Sequence, residues 1–227
     1  MIIVSFSGID GAGKSTQISA LESWLRSAGL RVSILRMWDD VVVCSGLREA
    51  MSRSAFGGDQ GIGSPEKPLN RRDKNVSSPL LNVLRCFLYF SDAVSLAYAI
   101  QRMRRTHGPD VIIFDRYLYD ELANLPQRST IARGFIRMLM NLAPRPEVAY
   151  LLDADPEAAR ARKPEYPLEF LYQNRKAYLQ LSRMIAEMII VENGSGEEMQ
   201  QIIRSALVSR LPNREVRTTQ VIAEKKI

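Results

Sequence analysis

The residues best equipped for chemistry stand close to the N-terminus. Gly8-Ile9-Asp10-Gly11-Ala12-Gly13-Lys14-Ser15 fits the spacing G-x-x-x-x-G-K-[ST]. Its glycines permit backbone angles that curl successive N–H groups inward around an anion. A helix opening near Lys14 adds its positive end to the same point. Lys14 is then suited to neutralise the β- and γ-phosphates of a nucleoside triphosphate, and the Ser15 hydroxyl to ligate Mg²⁺. Gly8, Asp10, Gly11, Ala12, Gly13, Lys14, Ser15 and Thr16 form the expected nucleotide-binding stretch. A second constellation, Asp115-Arg116-Tyr117, follows the apolar run Val111-Ile112-Ile113-Phe114. An arginine at a strand end beside a phosphate cradle is suited to gripping a second phosphate, which favours transfer to an acceptor over hydrolysis. Motor-type ATPases usually place Asp-Glu there, and the Asn-Lys-x-Asp sequence with which GTPases read guanine is absent.

Composition removes other classes. The chain has 227 residues, 46% of them hydrophobic and 25% charged, as expected of one globular domain with a full core. Cys44 and Cys86 have no metal or redox spacing, and the one histidine, His107, precedes a Gly-Pro-Asp turn. The net charge of +6 suits an anionic ligand without requiring nucleic acid, so no nucleic-acid partner is expected. No apolar run reaches the ~18 residues of a membrane span, so no membrane partner is expected either. Met1 to Phe6 reads as a first strand rather than a signal peptide, making the cytoplasm the default compartment.

Positioning these groups requires an alternating architecture. Ile2 to Phe6, Arg31 to Leu35, Val111 to Phe114, Val148 to Leu152 and Met188 to Val191 read as strands. Helices are predicted over Lys14 to Ala28, Leu80 to Arg105, Thr130 to Ala143, from Asp155-Pro156 onward, Leu168 to Glu187 and Gly196 to Leu211. The alternation predicts an α/β class with a doubly wound, five-stranded parallel sheet. Residues 1–211 form the expected domain, residues 52–79 a mobile insertion loop and 212–227 a basic tail.

On Phe6 to Gln17 and Phe114 to Tyr117, the chain resembles the thymidylate kinase family over residues 1 to 210. Leu88-Tyr89-Phe90-Ser91 and Tyr150 to Glu157 support the resemblance. It implies a P-loop, nucleoside monophosphate kinase-like fold with a lid near 156–168, and Mg²⁺-dependent transfer of the ATP γ-phosphoryl to a nucleoside monophosphate. It also implies roles by position. Asp10 would hold the acceptor sugar hydroxyl, Arg116 the acceptor phosphate, and Phe90 would stack on the acceptor base. Arg160, Arg162 and Lys163 would approach the triphosphate, and Asp115 would orient the magnesium shell. Relatives commonly dimerise through helices beside the acceptor site, and Leu80 to Ile100 is the segment for a homodimer.

The acceptor half departs from the family pattern. Met37-Trp38-Asp39-Asp40 stands where the family has Glu-Pro or a nearby Arg. Val94 occupies the place of the thymine-reading Arg, and Leu118 to Asn124 replaces Ser-Ser-x-Ala-Tyr-Gln. A second reading follows, in which Asp39 or Asp40 is a general base and the acceptor is an uncharged nucleoside, sugar or other alcohol. An ATP-binding regulatory protein without a small acceptor is a third.

Overall fold

Strand β1 (Ile2–Ser7) is buried at every position, serines included. A strand covered on both faces belongs in the middle of a parallel sheet. In the computed structural model, which describes residues 1–41, 79–106, 108–127 and 129–210, it lies there. With β2 (Val32–Arg36), β3 (Val111–Asp115), β4 (Val148–Asp153) and β5 (Met188–Glu192) it forms a five-stranded sheet of order β2-β3-β1-β4-β5. All four pairings are parallel. Phe6 pairs with Asp115, and Arg36 with Asp115 on the other side, so the carboxyl ends of three strands converge on one edge. The chain leaves β1 for β2 and β3 on one side, and for β4 and β5 on the other. That reversal opens the crevice in which sheets of this kind bind ligands.

Helices cover both faces of the sheet. Helix α1 (Lys14–Ser27) packs Ile18, Leu21 and Leu25 inward. Helix α2 (Pro79–Arg105) follows β2, separated from it by a π-helical turn (Met37–Val41) and residues outside the described set. Helix α3 (Leu118–Leu122) follows β3, then α4 (Thr130–Leu142) leads to β4. Helix α5 (Pro156–Arg162) begins as expected, with the Asp155 carboxylate accepting from the Ala158 N–H at 3.0 Å and proline in its first turn. Helices α6 (Leu168–Ser182) and α7 (Gly196–Val208) flank β5. No helix among the described residues is long and apolar enough to cross a membrane.

The expected strands are all present, but the elements between them differ in places. The predicted helix over 168–187 ends at Ser182. Met184 N–H bonds Leu181 O and Ile185 N–H bonds Ser182 O, shorter turns that swing the chain back to β5. Ile185 stays buried in that turn, which is why its spacing mimics a longer helix. Helix α3 and the π-helical turn have no counterpart among the predicted elements. The expected loop over 52–79, except for its last residue, the tail over 212–227, Cys44 and His107 lie outside the described residues.

Candidate active site

The glycine-rich loop over Gly8 to Gly13 is built from the close approach of three backbones. Gly8 has φ 140°, and a Cβ there would come within 2.6 Å of Leu152 O in β4. Gly11 has φ 82°, and its Cβ would meet Ala159 O of α5 at 2.2 Å. Only glycine permits these angles together with this packing. Gly13 precedes α1 in left-handed conformation, leaving the helix N-terminus open toward the loop. Ala12 is buried in the core, and Ser15 and Thr16 are exposed on the first turn of α1.

Lys14 folds back under the loop. Its Nζ donates to Gly8 O and Ile9 O, each at 2.9 Å. Burial, and then the nearby Arg116 charge, lower its pKa to about 8, against the pull of Asp10, Asp120 and Asp115. A cradle closed to a Cβ at Gly8 and Gly11, a poised ammonium and a helix N-terminus fit a triphosphate. Ser15 and Asp115 would hold Mg²⁺ beside it. Among the described residues there is no cluster of three or more His, Cys, Asp or Glu for a metal. Magnesium bound mainly by phosphate and water needs none.

Arg116 is the centre of a second cluster beside the cradle. It is the one non-glycine residue with positive φ among the described residues, at 71°. That angle is uncommon for a side chain of this size and persists only where surroundings enforce it. The enforcement is visible. Arg116 Nη2 lies 2.5 Å from Asp10 Oδ1, and Nη1 donates to Asp120 Oδ1 at 3.2 Å. The guanidinium also stands 5.2 Å from the centre of the Trp38 ring. Burial alone would lower the Arg116 pKa, but Tyr178, Asp10, Asp120 and Asp115 outweigh it and hold it above the usual value.

The turn after β2 contributes differently from expectation. Asp39, proposed from sequence as a base facing the acceptor, is 67% exposed and lies 3.7 Å from Arg36. Asp40 accepts from the Arg36 N–H at 2.7 Å, closing the turn. The residue this segment sends to the site is Trp38, whose Nε1 donates to Glu121 Oε1 at 2.6 Å. The buried Tyr89 hydroxyl also bonds Glu121, and burial with that carboxylate keeps its pKa well above the usual value. Phe90 follows Tyr89 by one residue, about 100° around the helix. It is 42% exposed and shares an outward stripe with Phe87 and Val94. The structure therefore brings Asp10, Lys14, Asp115 and Arg116 together, and leaves Asp39 and Phe90 outside that cluster.

Arg162 and Lys163, at the end of α5, stand beside the cradle. Lys163 Nζ is 4.0 Å from Asp10 Oδ1 and 3.3 Å from Glu165. Arg162 lies close to Gly13, and its Nε donates to Ala158 O at 3.2 Å. Arg160 is half-buried on the same helix. Tyr166 is buried, its ring centre 5.1 Å from that of Phe170, so it packs against the start of α6.

Sequence reasoning missed Trp38, Asp120, Glu121 and Tyr178. The first three had a signal. A tryptophan beside a phosphate cleft needs an acceptor for its N–H. Two acids in the first turn after Asp-Arg-Tyr suit a helix start. Tyr178 carried only the signature of a core helix face.

No family model matches the chain. Individual proteins do. The chain is 26% identical to a probable thymidylate kinase of Archaeoglobus fulgidus over 221 residues, 92% of this chain and 96% of that protein. It is 24% identical to a probable thymidylate kinase of Methanosphaera stadtmanae over 209 residues, covering 90% and 96%. Against a thymidylate kinase of Bifidobacterium longum subsp. infantis it is 27% identical over 191 residues, covering 80% and 74%. Over most of its length, the chain is thus similar to thymidylate kinases of archaea and bacteria.

Proposed function

We propose that the protein transfers the γ-phosphoryl of ATP to a nucleoside monophosphate. The observation that carries this is Arg116, held in a left-handed backbone within 2.5 Å of Asp10 and beside the Lys14 cradle. A second buried cation beside the cradle is suited to grip a second phosphate, that of an acceptor. Lys14, Arg160 and Arg162 steady the triphosphate, with Lys163 at the lid's edge. Asp10 takes the acceptor sugar hydroxyl and Arg116 the acceptor phosphate. Mg²⁺, between Ser15 and Asp115, supplies charge neutralisation as the phosphoryl group moves. The protein's own part is alignment of donor and acceptor and exclusion of water.

One observation favours a second reading, transfer to an uncharged alcohol. Arg116 is already contacted by two carboxylates, Asp10 and Asp120, which lessens its pull on an incoming dianion. The experiment that separates these readings is ATP consumption with Mg²⁺ against a panel of nucleoside monophosphates, nucleosides and sugars, with an EDTA arm. Turnover dependent on a monophosphate supports the first reading. Turnover dependent only on an uncharged acceptor replaces it with the second, and acceptor-independent behaviour with all of them refutes both.

A further inference from the structure

The two carboxylates on Arg116 are not equivalent. Asp10 is on the open side of the guanidinium, with 18% of its side chain exposed. Asp120 is enclosed, with 1% exposed. Each of its oxygens accepts two hydrogen bonds. Oδ2 takes Ser7 Oγ at 2.7 Å and the Tyr117 N–H at 3.0 Å. Oδ1 takes the Tyr178 hydroxyl at 2.7 Å and Arg116 Nη1 at 3.2 Å. A carboxylate offers about four such lone-pair positions, so all of them are filled. A fully satisfied buried carboxylate is rigid, whereas losing one partner is costly. Its four donors come from β1, the turn after β3 and α6. It stands in the stretch that departs from the family's Ser-Ser-x-Ala-Tyr-Gln pattern.

We propose that Asp120 and Tyr178 are positioning residues that keep Arg116 in place while the acceptor takes over the site held by Asp10. An acceptor reaching Nη2 displaces the exposed carboxylate. Nη1 stays on the enclosed one, so the guanidinium neither swings away nor loses its left-handed backbone. Tyr178 matters because it fixes the oxygen of Asp120 that Arg116 uses. Since α6 follows the lid segment, the same hydroxyl ties acceptor grip to the packing behind the lid. This rests on the proposed acceptor role of Arg116.

The test uses the full-length protein, Tyr178→Phe as the mild variant and Asp120→Asn as the stronger one. With the nucleoside monophosphate that the panel identifies, Tyr178→Phe should raise acceptor KM about tenfold and leave ATP KM within about twofold. Asp120→Asn should go further in the same direction. Equal rises in both KM values, or none in either, would overturn the proposal, because loss of packing alone predicts no acceptor bias. A second readout stands apart from the acceptor reading. The Arg116 guanidinium NMR signals, assigned by their loss in Arg116→Lys, should show slow Nη proton exchange in the wild type. Exchange should be at least fivefold faster in Tyr178→Phe, and an unchanged rate overturns the anchoring even if no monophosphate is turned over.

Discussion

Lys14 meets two opposed demands at the residue scale. In its proposed role it must be charged to hold phosphate, yet burial brings its pKa down to about 8. In the unfolded chain the same amine titrates near 10.5. Between those values the unfolded chain keeps a proton that the native protein has released, so this group makes stability rise with pH. Nucleotide affinity moves the opposite way, because the cation is lost. In nucleotide-free protein with EDTA, the stability difference between wild type and Lys14→Met should therefore shift in favour of the wild type from pH 7.5 to 9.5. Denaturant titrations along that range measure it, and a slope of the other sign contradicts the assignment. ATP binding at pH 8.5 should take up protons, read from the buffer dependence of calorimetric enthalpy. Arg116 is the second decisive residue. A lysine ammonium cannot reproduce the fork that touches Asp10 and Asp120 together. Arg116→Lys should lower kcat/KM for the acceptor by about 100-fold and change ATP KM by less than about threefold. Steady-state kinetics with each substrate varied in turn decides between that and a loss confined to ATP.

At the scale of elements, the site depends on how closely β1, β4 and α5 approach. Gly11 and Gly29 both have positive φ, near 80°, but only Gly11 is enclosed. Gly29→Ala has open space and pays only the left-handed backbone cost of about 1 kcal/mol. Gly11→Ala must in addition push the Ala159 carbonyl of α5 from a contact of 2.2 Å. Thermal melts and ATP titrations should show a modest loss of stability for the first with unchanged ATP affinity, and at least a tenfold affinity loss for the second. The difference also shows what was legible in the sequence. The cradle and strands were, because a buried parallel strand is a short apolar run and a phosphate loop has fixed spacing. Helix α6 ran past its true end because Ile185 is buried in a turn just as it would be in a helix. Asp39 and Trp38 were harder, since a π-helical turn redirects side chains by an amount that no helical or strand period contains. For Phe90 the motif was legible but its facing was not. Rotation about α2 is set by Leu88, Ala93 and Leu96 entering the core, which sends Phe90 outward and Tyr89 toward Glu121.

Across the whole molecule, charge and topology agree. At the candidate site Lys14, Arg116 and Lys163 face Asp10, Asp115 and Asp120, and Arg162 beside Gly13 adds positive charge, so part of the +6 surplus falls there. Paired carboxylates temper that charge, which on the proposed reading makes selectivity depend on geometry as well as on net attraction. The cradle and Arg116 follow the ends of adjoining strands, β1 and β3, so in the proposed reaction donor and acceptor meet at the end of a single ladder. The central claim is that this arrangement moves phosphate between two bound partners. Its most direct measurement is ADP and diphosphate product formed from ATP and Mg²⁺ by wild type and Arg116→Ala, with and without each nucleoside monophosphate. The account predicts equal amounts of both products, only when a monophosphate is present, and their loss in Arg116→Ala despite retained ATP binding. ADP formed at the same rate with no acceptor, or undiminished diphosphate product from Arg116→Ala, would contradict it.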